Sequence, residues 1–86
     1  MRSFVHTLRN DNPLPLISLG RLASIARRYP DTTCTVAMGS RTADISHPAK
    51  LASMGLRKGD AVTVSIIGPS EVEMFDVLRQ YFDSAM

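Results

Sequence analysis

The side chains with chemical reactivity are few and far apart in this chain. His6 and His47 are its two histidines, and Cys34 is its single cysteine. Their spacing does not match that of a metal site, and a lone cysteine cannot form an internal disulfide. No glycine-rich phosphate loop occurs either. The sequence therefore predicts no metal, no cofactor and no enzyme active site of a common type.

Two of these side chains have an ordinary structural interpretation. His6 alternates with Phe4 and Leu8, and this period of two predicts a half-buried position on a strand. Cys34 lies in a β-branched strand pattern, with no histidine placed by sequence to activate it. We therefore expect His6 to be a structural residue and Cys34 to be a small core residue.

His47 is the better candidate for chemistry. It stands at a predicted helix start, beside Ser46 and near Lys50, which is a setting that tolerates a phosphorylated imidazole. The alternative interpretation is an exposed residue that caps the helix without any reactive role.

Length and composition indicate one small globular domain, residues 1–86. Hydrophobic residues make up 44% of the 86 positions and charged residues 21%, so neither disorder nor a membrane class is indicated. No apolar run approaches the roughly 20 residues that span a bilayer, and the N-terminus lacks a secretory pattern. These features predict a cytoplasmic protein.

The charges are unevenly distributed. Residues 1–59 carry nine Lys or Arg and three Asp, a net charge of +6, whereas residues 60–86 carry a net charge of −4. This asymmetry predicts a basic face for an acidic protein partner, although a solvated surface without a partner is an equal alternative. Nucleic-acid binding is disfavoured, because no aromatic residues interleave with the scattered arginines.

Hydrophobic periodicity predicts four strands and three helices in the order β-α-β-β-α-β-α. Ser18 is the expected N-cap of the first helix, and Ser70 to Glu73 form the expected capping box of the last. The loop from Asn10 to Pro15 should separate the first strand from the first helix. We expect an α+β fold, in which helices cover one face of a four-stranded antiparallel sheet as an open-faced β-sandwich.

One stretch of sequence carries a family resemblance. From Asp44 to Met74 the chain reads D-I-S-H-P-A-K-L-A-S-M-G-L-R-K-G-D-A-V-T-V-S-I-I-G-P-S-E-V-E-M. The succession of brief helix, M-G-L corner, Lys58-Gly59 turn and β-branched strand resembles the second half of the histidine-containing phosphocarrier protein (HPr) of the bacterial sugar phosphotransferase system. The element order is also that of this family, so the resemblance implies the same fold along nearly the whole chain.

The resemblance does not extend to the family's reactive residues. Active members carry a histidine in a G-L-H-x-R-P segment before the first helix, followed by an arginine. The matching positions here are Pro15 or Leu16 for the histidine, and Ile17 or Ser18 for the arginine. Because neither proline nor leucine accepts a phosphoryl group, the resemblance implies a familiar scaffold without its usual chemistry.

The family's regulatory serine, which precedes the short second helix, is also displaced. Its position falls on His47, with Ser46 one residue earlier. Ser46 and His47 are therefore the candidate phosphorylation sites, while the simpler interpretation makes Ser46 a helix cap. The family's docking patch on that helix uses large apolar side chains, but this chain has Pro48, Ala49 and Ala52 there.

Two functional hypotheses follow. The first is a non-enzymatic regulatory or protein-binding module, whose partner is a component of the phosphotransferase system or another regulator. Its expected contact residues lie on the first two helices: Ser18, Arg21, Arg27, Arg28, Ala49 and Lys50. The alternative is a working phosphocarrier with a relocated acceptor at His47, His6 or Ser18.

Overall fold

The computed structural model describes residues 1–9 and 16–86, with the backbone alone at Leu16. The loop predicted from Asn10 to Pro15 lies outside the described residues. The two alternatives for the family's histidine position, residue 15 and the side chain of residue 16, lie outside them as well. The elements are β1 (Arg2–Thr7), α1 (Leu16–Arg28), β2 (Thr33–Met38), β3 (Arg41–Asp44), α2 (Pro48–Ser53), β4 (Ala61–Ile67) and α3 (Glu71–Ala85). This order confirms the prediction, and the predicted bounds differ by only a few residues.

The four strands form one antiparallel sheet in the order β1-β4-β2-β3. The central strand β4 is paired on both sides, with Val64 opposite Phe4 of β1 and opposite Val36 of β2. Because side chains alternate along a strand, Val62, Val64 and Ile66 all point to the same face, and all three are buried. That face is the one the helices cover.

The core lies between this sheet face and the helices. From α1, Leu19 and Leu22 are buried, and from α3, Met74, Leu78 and Phe82 are buried. These positions recur every three or four residues, which gives each helix one apolar side and leaves the opposite side in solvent. The solvent side of α1 is consequently free to carry function.

Two of the predicted helix caps are wrong. α1 already includes Leu16, so Ser18 lies inside its first turn and is not the N-cap. Proline restricts the residue before it more than the residue after it, which lets a helix start close behind a proline. Ser46 is not the cap of α2 either, because His47 holds that position and gives no side-chain cap bond.

The predicted capping box of α3 is also wrong in its bonding, although Ser70 does hold the N-cap position. Its hydroxyl donates to Asp31 Oδ1 over 3.2 Å, and its backbone N–H donates to Thr32 Oγ1 over 3.0 Å. The loop after α1 thus supplies tertiary partners that replace the local bonds of a capping box. Glu73 is left exposed.

No helix among residues 1–9 and 16–86 is long and apolar enough to cross a membrane.

Candidate functional site

The exposed side of α1 is a continuous basic stripe. Ile17, Arg21, Ser24 and Arg28 are spaced four, three and four residues apart, so they lie along one side of the helix, and all four are exposed. Ile17 keeps 66% of its surface in solvent, which places a large apolar side chain at one end of the stripe. Arg27 is exposed on its flank.

Charge separates the helical layer into two parts. α1 and α2 pack against each other and together carry four cations with no carboxylate: Arg21, Arg27, Arg28 and Lys50. α3 instead carries four carboxylates and one arginine. The charged side chains of α1 and α2 are therefore all basic, and those of α3 are mainly acidic. We call seven of the exposed residues of α1 and α2 the basic face: Ile17, Arg21, Ser24, Arg27, Arg28, Ala49 and Lys50.

The cations of the basic face differ in how firmly they are held. Arg27 Nη2 donates to Ser24 Oγ over 3.0 Å, and the Arg28 guanidinium lies 5.8 Å from the centre of the Tyr29 ring. Arg21 and Lys50 are exposed and have no hydrogen bond or ion pair from their side chains to any other residue that the structure describes. Neighbouring residues thus orient the side chains of Arg27 and Arg28. The side chains of Arg21 and Lys50 are free to bind carboxylates of a partner.

Ser18 has a structural part in this face. Its backbone carbonyl accepts a hydrogen bond from the Tyr81 hydroxyl of α3 over 2.9 Å, and its side chain is half-buried. This bond fixes the first turn of α1 to α3. Sequence analysis did not identify Tyr81 as a site-positioning residue, because only the tertiary packing of the two helices brings it there.

Ser46 and His47 lie at the start of α2, and both are exposed. The Asp44 carboxylate Oδ1 accepts from the Ser46 backbone N–H over 2.8 Å and from its hydroxyl over 2.7 Å. The Ser46 side chain therefore closes a local turn with Asp44 instead of capping the helix. The His47 carbonyl accepts from the N–H groups of Lys50 and Leu51, and this begins the helix.

His6 is more deeply buried than the sequence predicts. Only 8% of it is exposed, and its ring packs edge-on against Phe82 with centroids 5.3 Å apart. Nδ1 lies 3.7 Å from Asp83 Oδ1, and Nε2 has no hydrogen-bond partner among the described residues. The added burial comes from α3, which closes over the end of β1.

Cys34 is a core residue, as predicted, with 1% of its surface exposed. Burial and, to a smaller extent, the nearby Asp44 carboxylate raise the pKa of its thiol to about 12. Since the thiolate is the reactive form, this cysteine is inert at neutral pH. The described residues contain no cluster of three or more His, Cys, Asp or Glu that could hold a metal ion.

Comparison with protein families identifies the scaffold. The sequence model of the family described as "PTS HPr component phosphorylation site" matches residues 7–84. The chain belongs to the HPr family. No curated protein matches the chain by sequence.

Solved structures of other HPr proteins have the same fold. The HPr-C-His protein from Thermoanaerobacter tengcongensis superimposes with a TM-score of 0.87 at 18% identity, over 99% of this chain and 94% of that one. A histidine-containing phosphocarrier protein of Mycoplasma gives a TM-score of 0.88 at 15% identity, over 98% of this chain and 96% of that one. At such low identity the likeness shows the fold alone, which confirms the predicted HPr-like open-faced sandwich.

Proposed function

We propose that this HPr-family domain is a non-catalytic regulatory or protein-binding module, and that its basic face binds an acidic surface of a protein partner. The proposal is carried by the composition of the first two helices. Together α1 and α2 have four cations and no carboxylate, which supplies a binding surface. α1 contains no histidine, so the usual phosphoryl acceptor is absent from it.

The distribution of histidines argues against the usual carrier reaction. Residues 7–84, which match the family, contain one histidine, His47. His6 lies outside that range and is buried under α3, where a phosphoryl donor could not reach it. Ser18 has a hydroxyl, but a serine phosphate is not as easily transferred as an imidazole phosphate. A non-carrier role fits these facts best.

The alternative function is a phosphocarrier that uses His47. Its exposure and its position at the start of α2 favour it over any other acceptor in the chain. However, α2 has only six residues, so its dipole would stabilise a phosphate less than a long helix does. We therefore keep the regulatory module as the proposed function.

The chemistry of the basic face defines the partner. Arg21 and Lys50 need carboxylates or phosphates opposite them, and the exposed Ile17 needs an apolar contact at the edge of the same surface. Ala49 is small and exposed, which allows the partner to approach α2 closely. We infer a protein of the phosphotransferase system, or a regulator with a similar acidic surface, acting in the cytoplasm, where an unpaired cysteine is usual.

Neutralising the arginines of α1 should weaken partner binding about tenfold. The variant Arg21→Gln/Arg27→Gln/Arg28→Gln removes three rim charges, each contributing roughly 0.2–1 kcal/mol, and tenfold corresponds to about 1.4 kcal/mol. The domain would be used to recover partners from an extract of its own cell. The recovered protein would then be purified and titrated by calorimetry at low and high salt.

The matched control is Arg2→Gln/Arg57→Gln/Lys58→Gln, which removes the same charge from exposed positions outside the basic face. The control should bind the partner as tightly as the unmodified domain does. High salt should weaken partner binding by the unmodified domain more than it weakens binding by the α1 variant. Equal losses in the two variants would contradict a specific role for the basic face, and so would a partner that binds the α1 variant at full strength.

A further inference from the structure

A second surface feature lies at the edge of the sheet, beside the end of α2. It is an open depression of about 470 Å³, lined by Ser40, Arg41, Thr42, Lys50, Ser53 and Met54. The lining contains two cations, three hydroxyl groups and no carboxylate. Neither the residues of the family's reaction nor the arginines of α1 take part in it.

Arg41 is held in place at this depression. Its Nη1 donates to the Met54 carbonyl over 2.9 Å, at the C-terminal end of α2. This bond satisfies a carbonyl that the helix itself leaves unpaired. It also fixes the planar guanidinium, which has further N–H donors available for a ligand.

Lys50 supplies the second charge. Its side chain has no hydrogen bond or ion pair to another described residue, so its ammonium group is free to bind an anion. The Ser53 hydroxyl donates to the Lys50 carbonyl over 2.7 Å, which leaves Ser40 as the hydroxyl donor of the depression.

The backbone of β3 adds another donor. The Ile45 N–H donates to the Cys34 carbonyl, and the register pairs Val36 with Ala43. In an antiparallel pair the hydrogen-bonded positions alternate, so Thr42 lies at a position whose N–H points away from β2. Because β3 is an edge strand, that N–H is paired with no other strand, and Thr42 is one of the residues that line the depression.

We propose that this depression binds the phosphate group of a small phosphorylated molecule. A phosphate monoester is mostly a dianion at neutral pH, which matches the charges of Arg41 and Lys50. Its oxygens accept from the Arg41 guanidinium, the Lys50 ammonium, the Ser40 hydroxyl and the edge N–H of Thr42. The volume lies in the range of small-molecule sites, and the open side leaves room for the rest of the molecule. This inference goes beyond the proposed function and does not depend on it.

The test is a titration of the ¹⁵N-labelled domain with inorganic phosphate and, separately, glycerol 2-phosphate, at constant ionic strength, followed by amide chemical shifts. We expect saturable shifts confined to the residues of the depression, with Ser40 and Thr42 foremost. Glycerol alone should cause none. Arg41→Gln and Lys50→Gln should each weaken binding about tenfold, whereas Arg2→Gln, the same change on the opposite edge strand, should leave it unaltered.

Three outcomes would overturn the proposal: shifts that do not saturate, shifts spread over all the basic residues, or Arg41→Gln and Lys50→Gln variants that bind phosphate as well as Arg2→Gln. The Lys50 side chain forms no hydrogen bond or ion pair with another described residue. The Lys50→Gln variant therefore tests the contribution of charge to phosphate binding, even if Arg41→Gln disturbs the C-terminal end of α2. Unchanged phosphate binding by the triple variant of Arg21, Arg27 and Arg28 would support a site that does not use the arginines of α1.

Discussion

Replacing Gly68 with alanine is expected to lower the free energy of unfolding by about 3 kcal/mol. Gly68 has φ +150°, which L side chains rarely adopt, and a Cβ there would lie 2.6 Å from Thr32 Cα and 2.7 Å from the Asp31 carbonyl oxygen. Both of these are backbone atoms, so they cannot move aside as a flexible side chain would. The backbone strain at this φ and the collision of the new Cβ with these two atoms therefore both lower the stability of the variant.

The effect of this substitution should extend to the basic face. The strand-to-helix corner at Gly68 packs against the loop that follows α1, where Ser70 bonds to Asp31 and Thr32. Displacing that loop would displace the C-terminal end of α1, which carries Arg27 and Arg28. Chemical denaturation gives the stability, and amide shifts along α1 report the displacement.

Gly20→Ala is the matched control. Gly20 lies inside α1, and a Cβ added there would meet no atom of the described residues within 4 Å, apart from its own helix backbone and chain neighbours. Alanine in a helix interior is favoured over glycine by roughly 0.5–1 kcal/mol, so this variant should be more stable than the unmodified domain. Similar stability in both alanine variants would contradict the close approach at Gly68.

Replacing Phe82 with alanine is expected to cost about 4 kcal/mol of unfolding free energy. Phe82 is 1% exposed, and its ring meets Phe4 and His6 edge-on at centroid distances of 5.6 and 5.3 Å. The substitution removes apolar burial, leaves a cavity and loses both ring contacts. Since a domain of this size is stabilised by roughly 5–15 kcal/mol, the variant should lose a large fraction of its stability.

Urea denaturation monitored by circular dichroism measures this loss. The control is Val72→Ala on the same helix, because Val72 is 53% exposed and its truncation should change stability by no more than about 0.5 kcal/mol. If Phe82→Ala unfolded at the urea concentration that unfolds Val72→Ala, α3 would not be closing the core in the way described.

The elements that sequence predicted correctly are those set by periodicity. The alternation of Val62, Val64 and Ile66 fixes which face of β4 is buried, and the three- and four-residue spacing of Met74, Leu78 and Phe82 does the same for α3. Such patterns depend on one element at a time. They can therefore be recognised in the sequence before any tertiary contact is known.

The features that sequence missed depend on residues distant in the chain. Ser70 bonds to Asp31 and Thr32, 39 and 38 residues away, so the local capping box was the wrong expectation. His6 is buried by a helix that lies more than 60 residues later. Arg41 was not singled out, because its place in a depression depends on the packing of α2 against β3. One signal in the sequence could have pointed to Arg41, because it directly follows the Gly39-Ser40 turn at the start of a predicted strand.

The candidate site combines both kinds of inference. The exposure of Arg21, Arg27 and Arg28 follows from the apolar side of α1, and it agrees with the choice of these residues as expected partner contacts. The contrast between a basic α1 and α2 and an acidic α3 became clear only when the helices were placed side by side. Contact of these residues with a partner remains a prediction.

The most direct test of the central claim is the intact mass of the domain after incubation with phosphoenolpyruvate and the general phosphotransferase enzyme of the same cell. A conventional HPr serves as the positive control. We expect no gain of phosphate while the control is fully labelled. An acid-labile gain of one phosphate, lost in His47→Ala, would contradict the proposal and show that this domain is a phosphocarrier with a relocated histidine.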